Sequence, residues 1–103
     1  MISVITAFAL PAETTPEQVR QIFVSSAPRF LHMPGLRQKC FLLTEDGRTG
    51  MGFYIWDDRQ HAEAFFTEEW MQSMHGKYGS RPTLTYLECV VEVDNLPGII
   101  RQT

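Results

Sequence analysis

An α+β domain of order β-α-β-β-α-β, four antiparallel strands with helices on one face, follows from three features of this 103-residue chain. Apolar, β-branched runs open and close it. An Asp-Gly turn joins two more such runs in the middle, and two stretches of helical periodicity separate the pairs. With 44% hydrophobic and 20% charged residues, the chain reads as a single globular domain with a thin core, not as a disordered or fibrous one.

Ile2 to Leu10 is apolar and stops at Pro11, which makes it the first strand. Thr14-Thr15-Pro16-Glu17-Gln18 is a helix start: Thr15 caps, proline suits the first helical position, and Gln18 stands where a capping box needs its third residue. Val19, Ile22, Phe23, Ser26, Ala27 and Phe30 then form one helical stripe, which Pro28 kinks or ends because it has no backbone N–H to give Val24. Leu36–Thr44 and Thr49–Trp56 are the next two strands, with Asp46-Gly47 as their hairpin turn. Asp57-Asp58 caps a second helical region in two pieces, the second beginning at Thr67-Glu68-Glu69 and running through Trp70, Met71, Met74 and Tyr78 to Gly79. Thr83–Val93 is the last strand. Residues 1–95 form the domain, and residues 96–103 a polar, Pro/Gly-punctuated tail.

Right-handed crossovers put both helices on one side of the sheet and order its strands four-one-three-two, the split β-α-β of ferredoxin-like domains. Cys40 and Cys89 then fall on opposite edges, three spacings of about 4.8 Å apart, too far for an intrachain disulfide. Two helices cover only one face, yet both faces of the strands are apolar. Ile5, Ala7 and Ala9 oppose Ile2, Val4 and Phe8. Met51, Phe53 and Ile55 oppose Gly50, Gly52, Tyr54 and Trp56, and Leu87, Cys89, Val91 and Val93 oppose Leu84, Tyr86 and Val90. A homodimer that buries the bare face is expected, the alternative being a looser monomer whose tail folds over it.

A net charge of −3 without a basic stripe argues against nucleic acid and anionic membranes as partners. No apolar run reaches the length of a membrane span, and Ile2–Leu10 lacks the basic residue and length of a signal peptide, so a cytoplasmic protein is expected. No metal-ligand spacing, phosphate-cradling loop or dinucleotide fingerprint is present, and no cofactor or metal is expected.

Candidate chemistry centres on the third strand. Gly50 and Gly52 alternate on one face beside Tyr54 and Trp56, a pattern that suits either a cavity floor with aromatic walls or close packing beneath a helix. Trp70 and Tyr86 are further aromatic candidates for substrate contact, each with a polar tip that needs a partner when buried. His32, at the end of the first helix, is a candidate base at a cavity mouth. His61 reads as solvent-facing and His75 as a helix-end cation. Glu88 and Glu92 stand among apolar neighbours and call for cations, for which Arg29, Arg37 and Lys39 are available.

Ser26-Ala27-Pro28-Arg29-Phe30, Met33-Pro34-Gly35-Leu36, the run Gly50 to Trp56, Ala62-Glu63-Ala64-Phe65 and Trp70 resemble the dimeric α+β-barrel superfamily, and within it the small mono-oxygenases of the YdhR type. The resemblance covers nearly all of the chain up to Asp94-Asn95. It implies a cofactor-independent mono-oxygenase acting on a small aromatic, quinol-like substrate, or alternatively a non-catalytic barrel that binds a small apolar ligand or serves a stress response. Under the enzymatic reading, His32 or Tyr54 handles the proton and Arg29 or Lys39, at positions the resemblance emphasises, steadies an oxyanion. Trp56 and Trp70 exclude water. Haem-degrading relatives use an early asparagine, whereas the only asparagine here is Asn95.

Overall fold

The computed structural model describes all residues from Met1 to Thr103. Strands β1 (Ile2–Ala9), β2 (Leu36–Leu43), β3 (Thr49–Trp56) and β4 (Thr83–Glu88) form an antiparallel sheet in the order β2-β3-β1-β4. This is the expected ferredoxin-like order. The local signals act as read: Thr15 and Gln18 close a reciprocal capping box at the start of α1 (Pro16–Ser26), and Gly47 turns the β2–β3 hairpin at φ +73°. Pro28 ends α1, and the chain continues as one 3-10 turn over Ala27–Phe30. The second helical region is split into α2 (Arg59–Phe65), capped by Asp58, and α3 (Glu68–Tyr78), capped by Thr67 and closed by Gly79 in the left-handed conformation.

Two expectations for the C-terminal part are corrected. The last strand does not run unbroken to Val93: it ends at Glu88, and Val91–Asp94 forms a separate strand, β5. The segment read as a polar tail contains a strand that the sequence reading did not assign. Ile99–Gln102 forms β6 and pairs antiparallel with β5, turning through Gly98 at φ +72°. β-Branched Val91, Val93, Ile99 and Ile100, with Val93 directly opposite Ile100, supply the strand propensity, and Pro97-Gly98 supplies the turn.

Residues opposite one another across the ladders share a face. Lys39, Tyr54, Val4 and Tyr86 form one row on the helix side, and Phe41, Gly52, Thr6 and Leu84 the next. The densest packing lies at the Ile2–Trp56 end, where Tyr54, Trp56, Phe65, Phe66 and Trp70 interlock at centroid distances of 4.9–6.2 Å. A cavity opens beside this cluster, between the sheet, α1, the 3-10 turn and α3. Only 15 of 103 residues are buried, a small core for a domain that must offset the entropy of folding by itself. No helix is long and apolar enough to cross a membrane.

Candidate functional site

The cavity measures about 510 Å³, within the usual range for small-molecule sites. Its floor is the sheet: Thr6 from β1, Lys39 and Phe41 from β2, Gly52 and Tyr54 from β3. Phe23 and Ser26 of α1, with Arg29 and Phe30 of the 3-10 turn, form one wall. Trp70, Ser73, Met74, Lys77 and Tyr78 of α3 form the other. Strand alternation places Lys39, Phe41, Gly52 and Tyr54 on this face. On α3, Trp70, Ser73, Met74, Lys77 and Tyr78 follow i, i+3, i+4, i+7 and i+8, a single helical stripe.

Gly52 has a specific reason to be glycine. A Cβ at this position would sit 2.7 Å from the Thr6 hydroxyl and 2.8 Å from the Tyr54 ring, so its absence lets the tyrosine lie flat over the strand. Gly50 serves packing instead, since the space above it is filled by the Phe8 ring.

Lys39 is the chemical centre of the cavity. Its Nζ donates to the Tyr54 hydroxyl at 2.6 Å and lies 3.9, 4.0 and 4.2 Å from the ring centres of Phe30, Phe41 and Tyr54. Burial disfavours the ammonium, and the like charges of Arg29 and Lys77 add to this, bringing the pKa from 10.5 down to about 7. Amine and ammonium therefore coexist near neutral pH, held in place by the same cage. The Tyr54 phenol is pushed well above its ordinary range by burial, with the Thr6 hydroxyl working in the opposite direction. It stays protonated and available as a donor. Lys77 is likewise lowered by burial and then by Arg29, and its Nζ reaches Ser26 Oγ at 3.4 Å.

Of the residues singled out by sequence, Arg29, Lys39, Gly52, Tyr54 and Trp70 meet at this cavity. The others lie elsewhere. His32 is exposed in the turn after the 3-10 segment, at φ +64°, and does not line the cavity. Trp56 is a core residue, 1% exposed and stacked on Tyr54 with 9° between ring planes, and its Nε1 finds no hydrogen-bond partner. Tyr86 packs beneath the Arg59 guanidinium, and Gly50 beneath Phe8.

Within the single chain, Glu88 and Glu92 do not pair with Arg29, Arg37 or Lys39. Glu92 takes Arg101 at 2.7 Å, Arg37 approaches Asp57 at 3.6 Å, and neither Arg29 nor Lys39 forms an ion pair. Sequence reasoning did not find Lys77, Tyr78 or Phe41. The available signal was a lysine on the apolar stripe of α3.

No family model and no curated protein matches the sequence. Solved structures do. A candidate antibiotic biosynthesis monooxygenase from Deinococcus radiodurans superposes with a TM-score of 0.69 over 91% of this chain and 97% of its own, at 13% identity. SnoaB, a cofactor-independent oxygenase from Streptomyces nogalater, solved as a single-site variant, gives a TM-score of 0.62 over 85% of this chain and 91% of its own, at 14% identity. The chain shares the ferredoxin-like fold of these oxygenase structures, as the sequence resemblance implied.

Proposed function

We propose that this protein is a cofactor-independent mono-oxygenase that oxidises a small, electron-rich aromatic substrate in the cavity under α1 and α3. The observation that carries the proposal is the Lys39–Tyr54 pair. It combines an amine poised to gain or lose a proton near neutral pH with a phenol that remains a donor, among the aromatic rings of a half-enclosed cavity. The fold shared with SnoaB supports the same reading.

In this scheme the neutral Lys39 amine takes a proton from the substrate, and Tyr54 donates to the oxygen on which charge develops. Arg29 and Lys77 stabilise that charge. The resulting carbanion supplies the electrons for a C–O bond to dioxygen, giving a hydroperoxide. Loss of water then leaves a carbonyl, with one oxygen atom in the product and the other in water. Lys39 thus takes the proton-handling role that sequence reasoning gave to His32 or Tyr54, and Tyr54 serves as the donor beside it.

Oxygen uptake with a panel of hydroquinones and hydroxynaphthalenes, without added flavin, metal or nicotinamide, tests the proposal. Uptake coupled to product formation is expected. Saturable binding with no uptake across the panel would instead support a non-catalytic ligand carrier.

The second part of the proposal is a homodimer formed through the face opposite the helices. Leu42 and Leu87 on that face are more than 40% exposed, and the β5–β6 hairpin adds Val93 and Ile100, each more than 60% exposed. Together with the small core, these residues fit burial by a second copy. Light scattering should return twice the 11.8 kDa chain mass, and Leu87→Glu should return the single-chain mass. A wild-type protein of single-chain mass at micromolar concentration contradicts the dimer.

A further inference from the structure

We infer that the ligand of this cavity is an aromatic acid, its carboxylate held between Arg29 and Lys77 while its ring lies among the aromatic walls beside Tyr54. This names the ligand class for the cavity assigned above to the mono-oxygenase reaction, and its test is independent of turnover.

The argument starts from charge. The chain is acidic, with 12 Asp and Glu against nine Lys and Arg. Four of those nine, Arg37, Arg59, Arg81 and Arg101, are paired with carboxylates. Of the remaining five, Arg29, Lys39 and Lys77 line this one cavity, and no Asp, Glu or His lines it with them. The other titratable groups facing it are the hydroxyls of Tyr54 and Tyr78.

Lys39 lies inside the cavity while Arg29 and Lys77 stand exposed at its rim; the three like charges repel one another, and no carboxylate of the folded chain offsets them. The mutual effect is visible in Lys39 and Lys77, both of which Arg29 pushes toward the neutral form. An anion bound between Arg29 and Lys77 removes this penalty, so the arrangement favours an acidic ligand over its neutral analogue.

Aromaticity follows from the walls. Phe30, Phe41, Tyr54 and Trp70 leave a cavity that is mainly apolar, and the faces and edges of these four rings suit another ring. The competing explanation for Arg29 and Lys77 is that they only complement the C-terminal ends of the 3-10 turn and α3, where both residues lie. That role does not depend on a ligand.

The experiment compares binding of 1-hydroxy-2-naphthoate and 1-naphthol by calorimetry under anaerobic conditions, so that no turnover occurs. The acid should bind about tenfold tighter or more, the worth of one charge-assisted contact. Arg29→Gln and Lys77→Gln should each abolish most of that preference while leaving 1-naphthol affinity unchanged. Arg20→Gln, which removes a positive charge from outside the cavity, should leave both affinities unchanged.

Equal affinity for the two probes, failure of both to bind, or equal weakening of both by Arg29→Gln and Lys77→Gln overturns the inference. Oxygen uptake with charge-blind binding leaves the mono-oxygenase reading and removes the acid. Charge-selective binding without uptake does the reverse.

Discussion

Lys39→Met is expected to lower kcat/KM for oxygen uptake by about 10²–10⁴-fold, the usual contribution of a positioned general base, and at the same time to raise the melting temperature. The two effects share one cause. Methionine keeps the aliphatic contact with Phe30 and Phe41 but removes a charge that burial and two neighbouring cations disfavour. Because the Lys39 pKa is about 7 in the folded chain against 10.5 ordinarily, the unfolded chain binds more protons between those values. Wild-type stability attributable to this group therefore rises with pH across that window, and below it the penalty is present in full. For a domain of this size each kcal/mol recovered is worth about 4–8 °C, so the gain from Lys39→Met should be largest at pH 6 and gone by pH 11.

The pH–rate profile supplies the complementary test. Wild-type kcat/KM should climb through a pH of about 7 as the amine loses its proton. Lys39→Arg, which carries a permanent charge, should be inactive throughout and gain no stability. A Lys39→Met protein that retains the wild-type profile removes Lys39 from the chemistry.

How much of this was legible in the sequence depended on whether the signal was local. Thr15, Gln18, Asp58, Thr67 and Gly79 cap their helices through side chains or backbone within a few residues, so reading them in order gives the elements correctly. The strand order followed from the split β-α-β element order, and the helix side from crossover handedness. The β5–β6 hairpin carried the same kind of signal as Asp46-Gly47, a Pro97-Gly98 turn between β-branched runs. Its flanking strands are only four residues each, and that brevity made it resemble a tail. The site was less legible because its logic is non-local. Lys39 meets Tyr54 across the β2–β3 ladder, Lys77 arrives from α3, and Arg29 from the 3-10 turn. Nothing in the sequence shows that these three cations share a space without carboxylates. His32 is the converse case: a histidine at a helix end is chemically suggestive, but its left-handed turn leaves it outside the cavity.

Gly52→Ala should be the most damaging one-carbon change in the chain for function, and its contrast with Gly76→Ala shows why. The added methyl at position 52 meets the Thr6 hydroxyl and the Tyr54 ring at under 3 Å, in the middle of a strand paired on both sides. The backbone cannot retreat, so the ring must tilt away. Overpacking of this kind costs about 1–3 kcal/mol, and the tilt also breaks the 2.6 Å contact between Tyr54 and Lys39. Activity should fall by more than the stability loss alone explains, and the lysine, deprived of its partner, should show an altered pH–rate profile. At Gly76 a Cβ meets nothing within 4 Å. There the same substitution relieves the helical penalty of glycine and should stabilise α3 by about 0.5–1 kcal/mol with the profile unchanged. Thermal unfolding and pH–rate profiles of the two variants check both signs. If Gly52→Ala is as stable and as active as Gly76→Ala, Tyr54 does not need its position over Gly52, and the Lys39–Tyr54 pair is not what drives the chemistry.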